Sequence, residues 1–279
     1  MAEYYQPKYM GDGIYHIYEP GQVYTSLIIG TRQAMLIDTG YGFDDLKKTV
    51  EGLTKLPLIV VNTHGHFDHA GGNFQFENVY MHPGEREIYE RYMKNVRPVA
   101  VGNFIRQDRE KGTHVLPKTL DIEQYLEKPC QQTLPLENHR KFDLGGRTVE
   151  AIVLPGHTKH HVVFVDDKSG ILFGGDDIAK NVWLQFDFSV PLHEYAHNLQ
   201  AVSEYAGDVR ILSSHSDMLY PKSLFTWLLT AIAHIDDSQS RTFIHPRNGE
   251  KSLLHTEYIK DEKMPEVKKV HIIYNKDNK

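Results

Sequence analysis

The sequence predicts an α/β (α+β) fold in a single domain of 279 residues. Short apolar runs rich in β-branched and aromatic residues alternate with amphipathic segments, a pattern typical of strands and helices that pack in layers. Several apolar runs end in a small-residue turn followed by His or Asp, so the predicted strands carry polar side chains at their ends. No linker composition and no internal repeat divides the chain, and one domain over 1–279 is therefore predicted.

The first third of the chain predicts strands and one helix. Residues 13–19, 23–30 and 34–38 are rich in β-branched and aromatic residues and are separated by turn signals, so three short antiparallel strands are expected. Residues 44–53 have the spacing of an amphipathic helix, and 57–62 form a continuous apolar run typical of a strand buried on both faces. This last strand leads directly into the first polar motif.

A more polar segment at about 84–140 is predicted to be an insertion or lid. Helical patterning within it covers 84–95 and 121–127. The expected breakers of these helices are Pro98, Gly112, Pro117 and Pro129. The segment therefore predicts a helical insertion, with its use as a lid or as a dimer contact left open.

The second half of the chain continues the alternation of strands and helices. The predicted strands are 147–154, 161–167, 170–175 and 209–214, and the predicted helices are 193–206 and 221–235. Residues 181–191 are rich in aromatic residues and are expected to form a loop. Residues 241–274 predict closing strands or a hairpin with Gly249 near its bend.

Composition limits the possible partners and sites. A net charge of −6 and a pI near 6.3 argue against a general electrostatic grip on nucleic-acid phosphates, so no nucleic-acid partner is expected. No run approaches the roughly 20 apolar residues of a membrane span, which favours a cytoplasmic protein without membrane contact. A small-molecule substrate and a homodimer are compatible with this composition. Cys130 is the only cysteine, so a metal site would depend on His and carboxylates.

The densest group of such residues lies in the segment THGHFDHAGG at 63–72. It places His64, His66, Asp68 and His69 directly after the predicted buried strand. No single helix face or strand face could hold all four, but a tight loop that turns into a helix could direct them toward two adjacent ions. Histidine supplies 17 of the 279 residues, and imidazole suits borderline metals near neutral pH.

Three further candidate ligands follow predicted strands in order: His157, Asp176 and His215. Each stands after an apolar run and a small-residue turn, the arrangement by which a rigid sheet holds ligands on short loops. Seven ligands from four loops are enough for a two-ion site. Neutral imidazoles and carboxylates suit zinc and also iron(II), manganese and cobalt.

Taken together, these motifs resemble those of the metallo-β-lactamase superfamily in type and order. The five segments are LIDTG (36–40), THGHFDHAGG (63–72), PGHT (155–158), FGGDD (173–177) and SSH (213–215). The resemblance implies a four-layer αββα metallo-β-lactamase sandwich with a helical insertion and with the metals at one edge. It also implies two divalent metal ions, Zn²⁺ above all, with Fe²⁺ or Mn²⁺ as alternatives.

The resemblance also assigns roles to individual residues. The two ligand groups it implies are His64, His66 and His157 for one metal and Asp68, His69 and His215 for the other. Asp176 and a hydroxide would bridge both metals. Asp38 would accept hydrogen bonds from the His loop and fix ligand orientation rather than bind metal.

The implied activity is hydrolysis of an ester-type bond, that is a thioester, lactone, carboxylic ester or phosphodiester, by a metal-bridged hydroxide. Asp68 and Asp176 would be the catalytic carboxylates. Asp176 favours the glyoxalase II and lactonase-like dinuclear branch, although no subfamily signature is complete. Three alternatives stay open: a mononuclear non-haem iron persulfide dioxygenase, a β-lactamase and a non-catalytic binding protein.

Substrate recognition is expected from side chains near the later motifs. The candidates are Trp183, Phe186, Phe188, His193 and Tyr195. The alternative for the aromatic residues is that they pack the insertion against the body of the protein. His160 and His161 are expected to be a surface pair or strand residues rather than catalytic groups.

Overall fold

The computed structural model describes residues 4–245, 249–262 and 264–277. Contacts along the chain group into two compact units. The first unit comprises Met1–Ala151, Asp166–Ser169 and His215–Asp217, and the second comprises Ile152–Val165, Gly170–Ser214 and Met218–Lys279. The single domain expected from the sequence stays a prediction.

A seven-stranded sheet in the order β1 to β7 forms the frame of the first unit. Its strands are Gln6–Gly11, Ile14–Glu19, Val23–Ile29, Ala34–Ile37, Leu58–Val61, Val79–Met81 and Thr133–Pro135. The neighbours from β1 to β4 are antiparallel and those from β4 to β7 are parallel. The three predicted antiparallel strands are therefore confirmed as β2, β3 and β4. Strands β6 and β7 were not predicted, because three residues are too few to show a period.

Five helices and a hairpin complete the described part of the first unit. The helices are α1 (Leu46–Leu53), α2 (Phe67–Ala70), α3 (Arg86–Arg91), α4 (Arg97–Lys111) and α5 (Ile122–Leu126). The hairpin strands are β8 (Lys141–Asp143) and β9 (Thr148–Val153), of which the last two residues of β9 belong to the second unit. Shorter turns of helix lie at Asn73–Gln75, Pro83–Glu85 and Tyr92–Val96. Among the described residues, no helix combines the length and apolarity that crossing a membrane requires.

The insertion is helical as predicted, but Pro98 does not interrupt it. This proline is the second residue of α4 and stands two residues after an irregular helical turn, which is the kind of place where a longer helical run accommodates a proline. The turn at Tyr92–Val96 is a π-helix, so the run continues with one irregularity from α3 into α4. The helix ends at Gly112, which has a left-handed φ of +61°.

The polar appearance of the insertion hides an apolar face. Ala100, Val101 and Phe104 of α4 are buried in one hydrophobic cluster with Tyr41 and Phe67 of the unit's body. The Phe104 ring meets the Tyr41 ring edge-on at 5.3 Å between centroids. The insertion therefore contributes part of the hydrophobic core of the first unit.

The described part of the second unit contains two groups of strands. One has the order β14-β13-β11-β10 and the other is a four-stranded sheet in the order β12-β17-β16-β15. The strands are β10 (Val162–Asp166), β11 (Ile171–Gly175), β12 (Asn181–Leu184), β13 (Arg210–Ser213), β14 (Leu219–Tyr220), β15 (Arg241–Ile244), β16 (Lys251–Tyr258) and β17 (Lys269–Tyr274). Helices α6 (Leu192–Tyr205) and α7 (Ser223–Ala233) confirm the two predicted helices, and the closing strands are confirmed as well.

The aromatic loop predicted at 181–191 is wrong for its first four residues. They form β12, which pairs in parallel with β17 far later in the chain. Val182 and Leu184 are fully buried, whereas Asn181 is exposed and Trp183 is half-buried. This alternation is typical of a strand, but its pairing partner is too distant in sequence to be inferred from a local pattern.

A buried carboxyl group on β2 holds the loop that follows β4. Glu19 is fully buried and accepts hydrogen bonds from the backbone N–H groups of Tyr41 at 2.8 Å and Phe43 at 3.2 Å. Gly40, just before them, has a φ of +63°, and a Cβ atom there would collide with the Glu19 carboxylate. Burial raises the pKa of Glu19 to about 8, although these donors favour the ionised form.

We expect the free energy of unfolding to fall as pH rises from about 5 to 8, because of Glu19. The folded protein retains the carboxyl proton up to the raised pKa of about 8, whereas the unfolded chain releases it near 4.5. Folding therefore loses stability in this window, by at most about 1.4 kcal/mol per pH unit. Denaturant unfolding of wild type and Glu19→Gln at several pH values measures the slope. An equal dependence of the unfolding free energy on pH in both proteins refutes the expectation. Glu137→Gln, which changes a glutamate at an exposed position, is the control and should keep the wild-type slope.

Candidate metal centre

The first motif occupies the loop that follows β5 together with helix α2, which contains Asp68 and His69. His64 and His69 are completely buried, and His66 and Asp68 are nearly so. The His64 ring centroid lies 4.5 Å from that of His66 and 4.1 Å from that of His69. The segment is the predicted loop that turns into a helix, since α2 begins at Phe67. A parallel strand ending in such a loop gathers polar groups at one sheet edge.

Asp38 fixes one of these imidazoles from behind. Its carboxylate accepts from the Thr63 backbone N–H at 2.8 Å and from the Thr63 hydroxyl at 2.9 Å, and it lies 2.8 Å from His69 Nδ1. Because a carboxylate can only accept, the His69 proton is on Nδ1 and Nε2 carries the lone pair. Asp38 itself has a φ of +63°, a conformation that Asp tolerates better than most residues.

Two further imidazoles are oriented in the same way. The Thr63 hydroxyl donates to Asp38, so it accepts from His64 Nδ1, which lies 3.0 Å away. His215 Nδ1 donates to the backbone carbonyl of Gln22 at 2.6 Å. His64, His69 and His215 therefore all carry their lone pair on Nε2, the atom that a metal would bind.

Asp68, His69 and His215 form a group within the first unit that could hold a cation. One ligand atom from each lies within 4.8 Å of the others. His215 Nε2 is 3.9 Å from Asp68 Oδ2, and the rings of His69 and His215 are 5.4 Å apart between centroids. Two neutral imidazoles and one carboxylate are a donor set that suits zinc and related divalent ions. The residues present therefore fit a metal.

The insertion contacts the first motif at two points. The Tyr92 ring, in the π-helical turn, stacks on the His66 ring at 4.1 Å with 16° between the planes. Glu85 is completely buried and its carboxylate accepts from the Gly65 backbone N–H at 2.9 Å. Neither residue was a sequence candidate. The turn that carries Tyr92 is π-helical, a conformation that is frequent at functional sites, and a sequence pattern does not reveal it.

In the second unit, His157 and Asp176 lie close together. His157 Nε2 is 3.5 Å from Asp176 Oδ2. His157 Nδ1 donates to the Trp183 carbonyl at 2.6 Å, and the Ser189 hydroxyl donates to the His157 carbonyl at 2.8 Å. The lone pair of His157 is therefore also on Nε2, facing the Asp176 carboxylate.

Asp177 and His161 support these two residues, and the sequence analysis missed both roles. Both are completely buried, so His161 is not part of a surface pair, and it lies directly before β10 rather than within a strand, the other position expected for it. The Asp177 carboxylate accepts from the His157 backbone N–H and lies 3.2 Å from His161 Nδ1. His161 Nε2 accepts from the Asp176 backbone N–H at 3.2 Å. A Cβ atom at Gly156 would collide with the Asp177 carboxylate, which explains glycine at that position.

The five predicted substrate residues differ in how far they are exposed. Trp183 and Phe186 are half-buried, and the Phe186 ring meets the His157 ring edge-on at 5.3 Å. Phe188 is nearly buried and stacks on Phe186, and His193 is exposed in the first turn of α6. Tyr195 differs from the prediction, because it is completely buried and its hydroxyl donates to the Asp177 carbonyl. It supports the Asp177 loop from within the core.

Comparison with known families identifies the family to which this chain belongs. The family described as Metallo-beta-lactamase superfamily matches residues 18–215. The chain belongs to the metallo-β-lactamase superfamily. The match begins in β2 and ends at His215, so it contains every motif on which the resemblance was based.

Solved structures agree with this membership at the level of fold. A metallo-beta-lactamase from Pontibacter korlensis has a TM-score of 0.59 at 17% identity, covering 83% of this chain and all of that one. A metallo-beta-lactamase family protein from Thermus thermophilus has a TM-score of 0.57 at 20% identity, covering 81% and 80%. The predicted metallo-β-lactamase fold of mixed sheets and helices is confirmed.

Two relatives of this chain carry names that state an activity. Human acyl-coenzyme A thioesterase MBLAC2 is 31% identical over 193 residues, which cover 62% of this chain and 66% of the human protein. Hydroxyacylglutathione hydrolase from Synechococcus sp. (strain JA-2-3B'a(2-13)) is 27% identical over 148 residues, which cover 53% and 45%. The chain thus spans just under two thirds of the human protein and under half of the cyanobacterial one.

Proposed function

We propose that this superfamily member is a zinc-dependent hydrolase of acyl thioesters, with coenzyme A thioesters as the substrate class. The observation that carries the proposal is the cluster of Asp68, His69 and His215, with Nε2 of both imidazoles kept as the lone-pair atom by Asp38 and Gln22. Two relatives named for thioester cleavage, an acyl-coenzyme A thioesterase and a hydroxyacylglutathione hydrolase, support the thioester among the ester-type bonds.

The proposed ligands are those that the family resemblance implies. They are His64, His66, Asp68, His69, His157, Asp176 and His215. When bound, the two zinc ions would polarise the substrate carbonyl and lower the pKa of a water molecule. Asp38 and the carbonyls of Gln22 and Trp183 contribute by holding the imidazoles in one tautomer, so ligand atoms need no proton loss to bind.

The thioester also matches what the protein's own acids can do. A thiol has a pKa of about 8.5, so a thiolate leaves near neutral pH with little help from a proton donor, unlike an alkoxide. Asp68 is the one carboxylate of the first motif, and we propose that it binds metal as well as orienting water. Among the ester-type bonds considered, thioester cleavage therefore requires the least proton donation from Asp68 to the leaving group.

A substrate panel tests the proposal. Zinc- and manganese-loaded protein is assayed with matched acyl thioesters, lactones, carboxylic esters and phosphodiesters, and kcat/KM is compared between classes. We expect the thioester to have the highest value. A higher value for another class refutes the substrate assignment. Oxygen consumption with a persulfide by iron-loaded protein, without hydrolysis of any panel member, would identify the dioxygenase alternative instead.

A further inference from the structure

Five aromatic rings of the second unit form a continuous patch, which we call the aromatic shelf: Trp183, Phe186, Phe188, Phe243 and His245. Phe188 stacks on Phe186 at 5.0 Å between centroids, and Phe186 meets His245 at 6.2 Å. Trp183 meets His245 at 5.3 Å and Phe243 at 5.2 Å, both edge-on. Four of the rings are half-buried, so the shelf presents aromatic surface rather than closing into the core.

The four-stranded sheet of the second unit carries the shelf. Trp183 on β12 pairs with Ile273 on β17, which pairs with Leu254 on β16. Leu254 pairs with Arg241 on β15, and Phe243 follows two residues later on the same face. Directly paired residues point to one side of a sheet, so Ile273 and Leu254 lie on the face that carries Trp183 and Phe243, and the exposed Arg241 lies at its edge.

The shelf begins at a residue of the proposed catalytic centre. The Phe186 ring meets the His157 ring at 5.3 Å, and the Trp183 carbonyl accepts from His157 Nδ1 at 2.6 Å. A substrate whose carbonyl lies at His157 would thus have aromatic surface beside it. The polar side-chain groups of the shelf are the His245 imidazole and the Trp183 indole N–H, so the shelf suits a hydrocarbon better than a charged group.

We propose that the aromatic shelf binds the hydrocarbon chain of the acyl group and makes the protein prefer longer acyl thioesters over acetyl thioesters. This inference rests on the proposed thioesterase function and deepens it. Each methylene transferred from water to apolar surface favours binding by roughly fourfold. Three members, Trp183, Phe186 and Phe188, lie within the family match at 18–215, and two, Phe243 and His245, lie beyond it, so the shelf combines both parts of the sequence.

The test compares acetyl-, hexanoyl- and decanoyl-coenzyme A in wild type, Phe243→Ala, Phe243→Leu and Tyr258→Ala. The readout is the ratio of kcat/KM for decanoyl to that for acetyl, which cancels any difference in the fraction of folded protein. We expect this ratio to exceed ~10 in wild type and to fall at least about fivefold in Phe243→Ala, with Phe243→Leu between them. Tyr258 is an exposed aromatic residue on β16 and should keep the wild-type ratio.

Failure of the shelf and failure of the thioesterase proposal give different results. A wild-type protein that hydrolyses acetyl and decanoyl thioesters equally well, or a Phe243→Ala ratio equal to that of wild type, overturns the shelf and leaves the thioesterase proposal standing. Absence of turnover at every chain length overturns the thioesterase proposal. The shelf is then tested by calorimetry, which measures the binding of S-decyl- and S-ethyl-coenzyme A thioethers. Equal affinity of the wild type for the two thioethers overturns the shelf. A preference for the decyl thioether that is unchanged in Phe243→Ala overturns it as well.

Discussion

The His69→Ala variant is expected to lose thioester hydrolysis by more than about 100-fold, because changes to groups that merely orient ligands already cost roughly 10–100-fold. His69 is completely buried, contacts the His64 ring and belongs to the cluster with Asp68 and His215. Its removal also leaves the Asp38 carboxylate without the imidazole that lies 2.8 Å away. The loss should appear in kcat/KM together with a lower zinc content per chain.

The control for this variant is His139→Ala. His139 is an exposed imidazole of the first unit that lies 2.8 Å from Glu150. Both variants remove one imidazole, so non-specific effects of histidine loss on zinc content would be common to them. A His69→Ala protein with wild-type turnover and wild-type zinc content would show that the cluster is not the metal centre.

The Asp38→Asn variant is expected to bind zinc roughly 10–100-fold more weakly while remaining folded. Asn tolerates the left-handed φ of +63° that Asp38 adopts, so the substitution isolates the loss of the carboxylate. Its amide nitrogen would face His69 Nδ1 or the Thr63 hydroxyl, each of which donates to the carboxylate in the wild type. Imidazole orientation, and with it the lone pair on Nε2, would no longer be fixed.

Competition with a chromogenic chelator measures this affinity without reference to turnover. The exposed Asp143→Asn, which loses an ion pair with Arg32, is the matched control because it removes one carboxylate outside the site. Unchanged zinc affinity in Asp38→Asn would mean that the contact between Asp38 and His69 only stabilises the loop. It would then have no effect on how strongly the His69 imidazole binds zinc.

The sequence predicted most of the elements that carry the site. Short apolar runs such as Leu58–Val61 and Ile171–Gly175 were recognisable because each was continuous and bounded by turn residues. The motif at 63–72 was recognisable because its spacing suits a loop that turns into a short helix, and α2 starts at Phe67. The local sequence pattern was sufficient for these elements, because the residues that specify each of them lie within about one strand and one turn of the chain.

Other features depend on residues that are distant in sequence. Asp177 follows Asp176 directly, yet its role depends on contacts with the His157 backbone and His161. Glu85 and Tyr92 reach the first motif only because the insertion folds onto it.

The prediction for Pro98 was wrong for a local reason. The effect of a proline on a helix depends on whether it lies near the beginning of the helix or in its interior.

The most direct test of the central claim is a zinc titration of metal-free protein in which bound zinc and thioester turnover are followed together. The account predicts no turnover without metal, a rise that follows bound zinc, and a plateau at two zinc ions per chain. Full thioester turnover in metal-free protein, or zinc binding that leaves turnover unchanged, would contradict it.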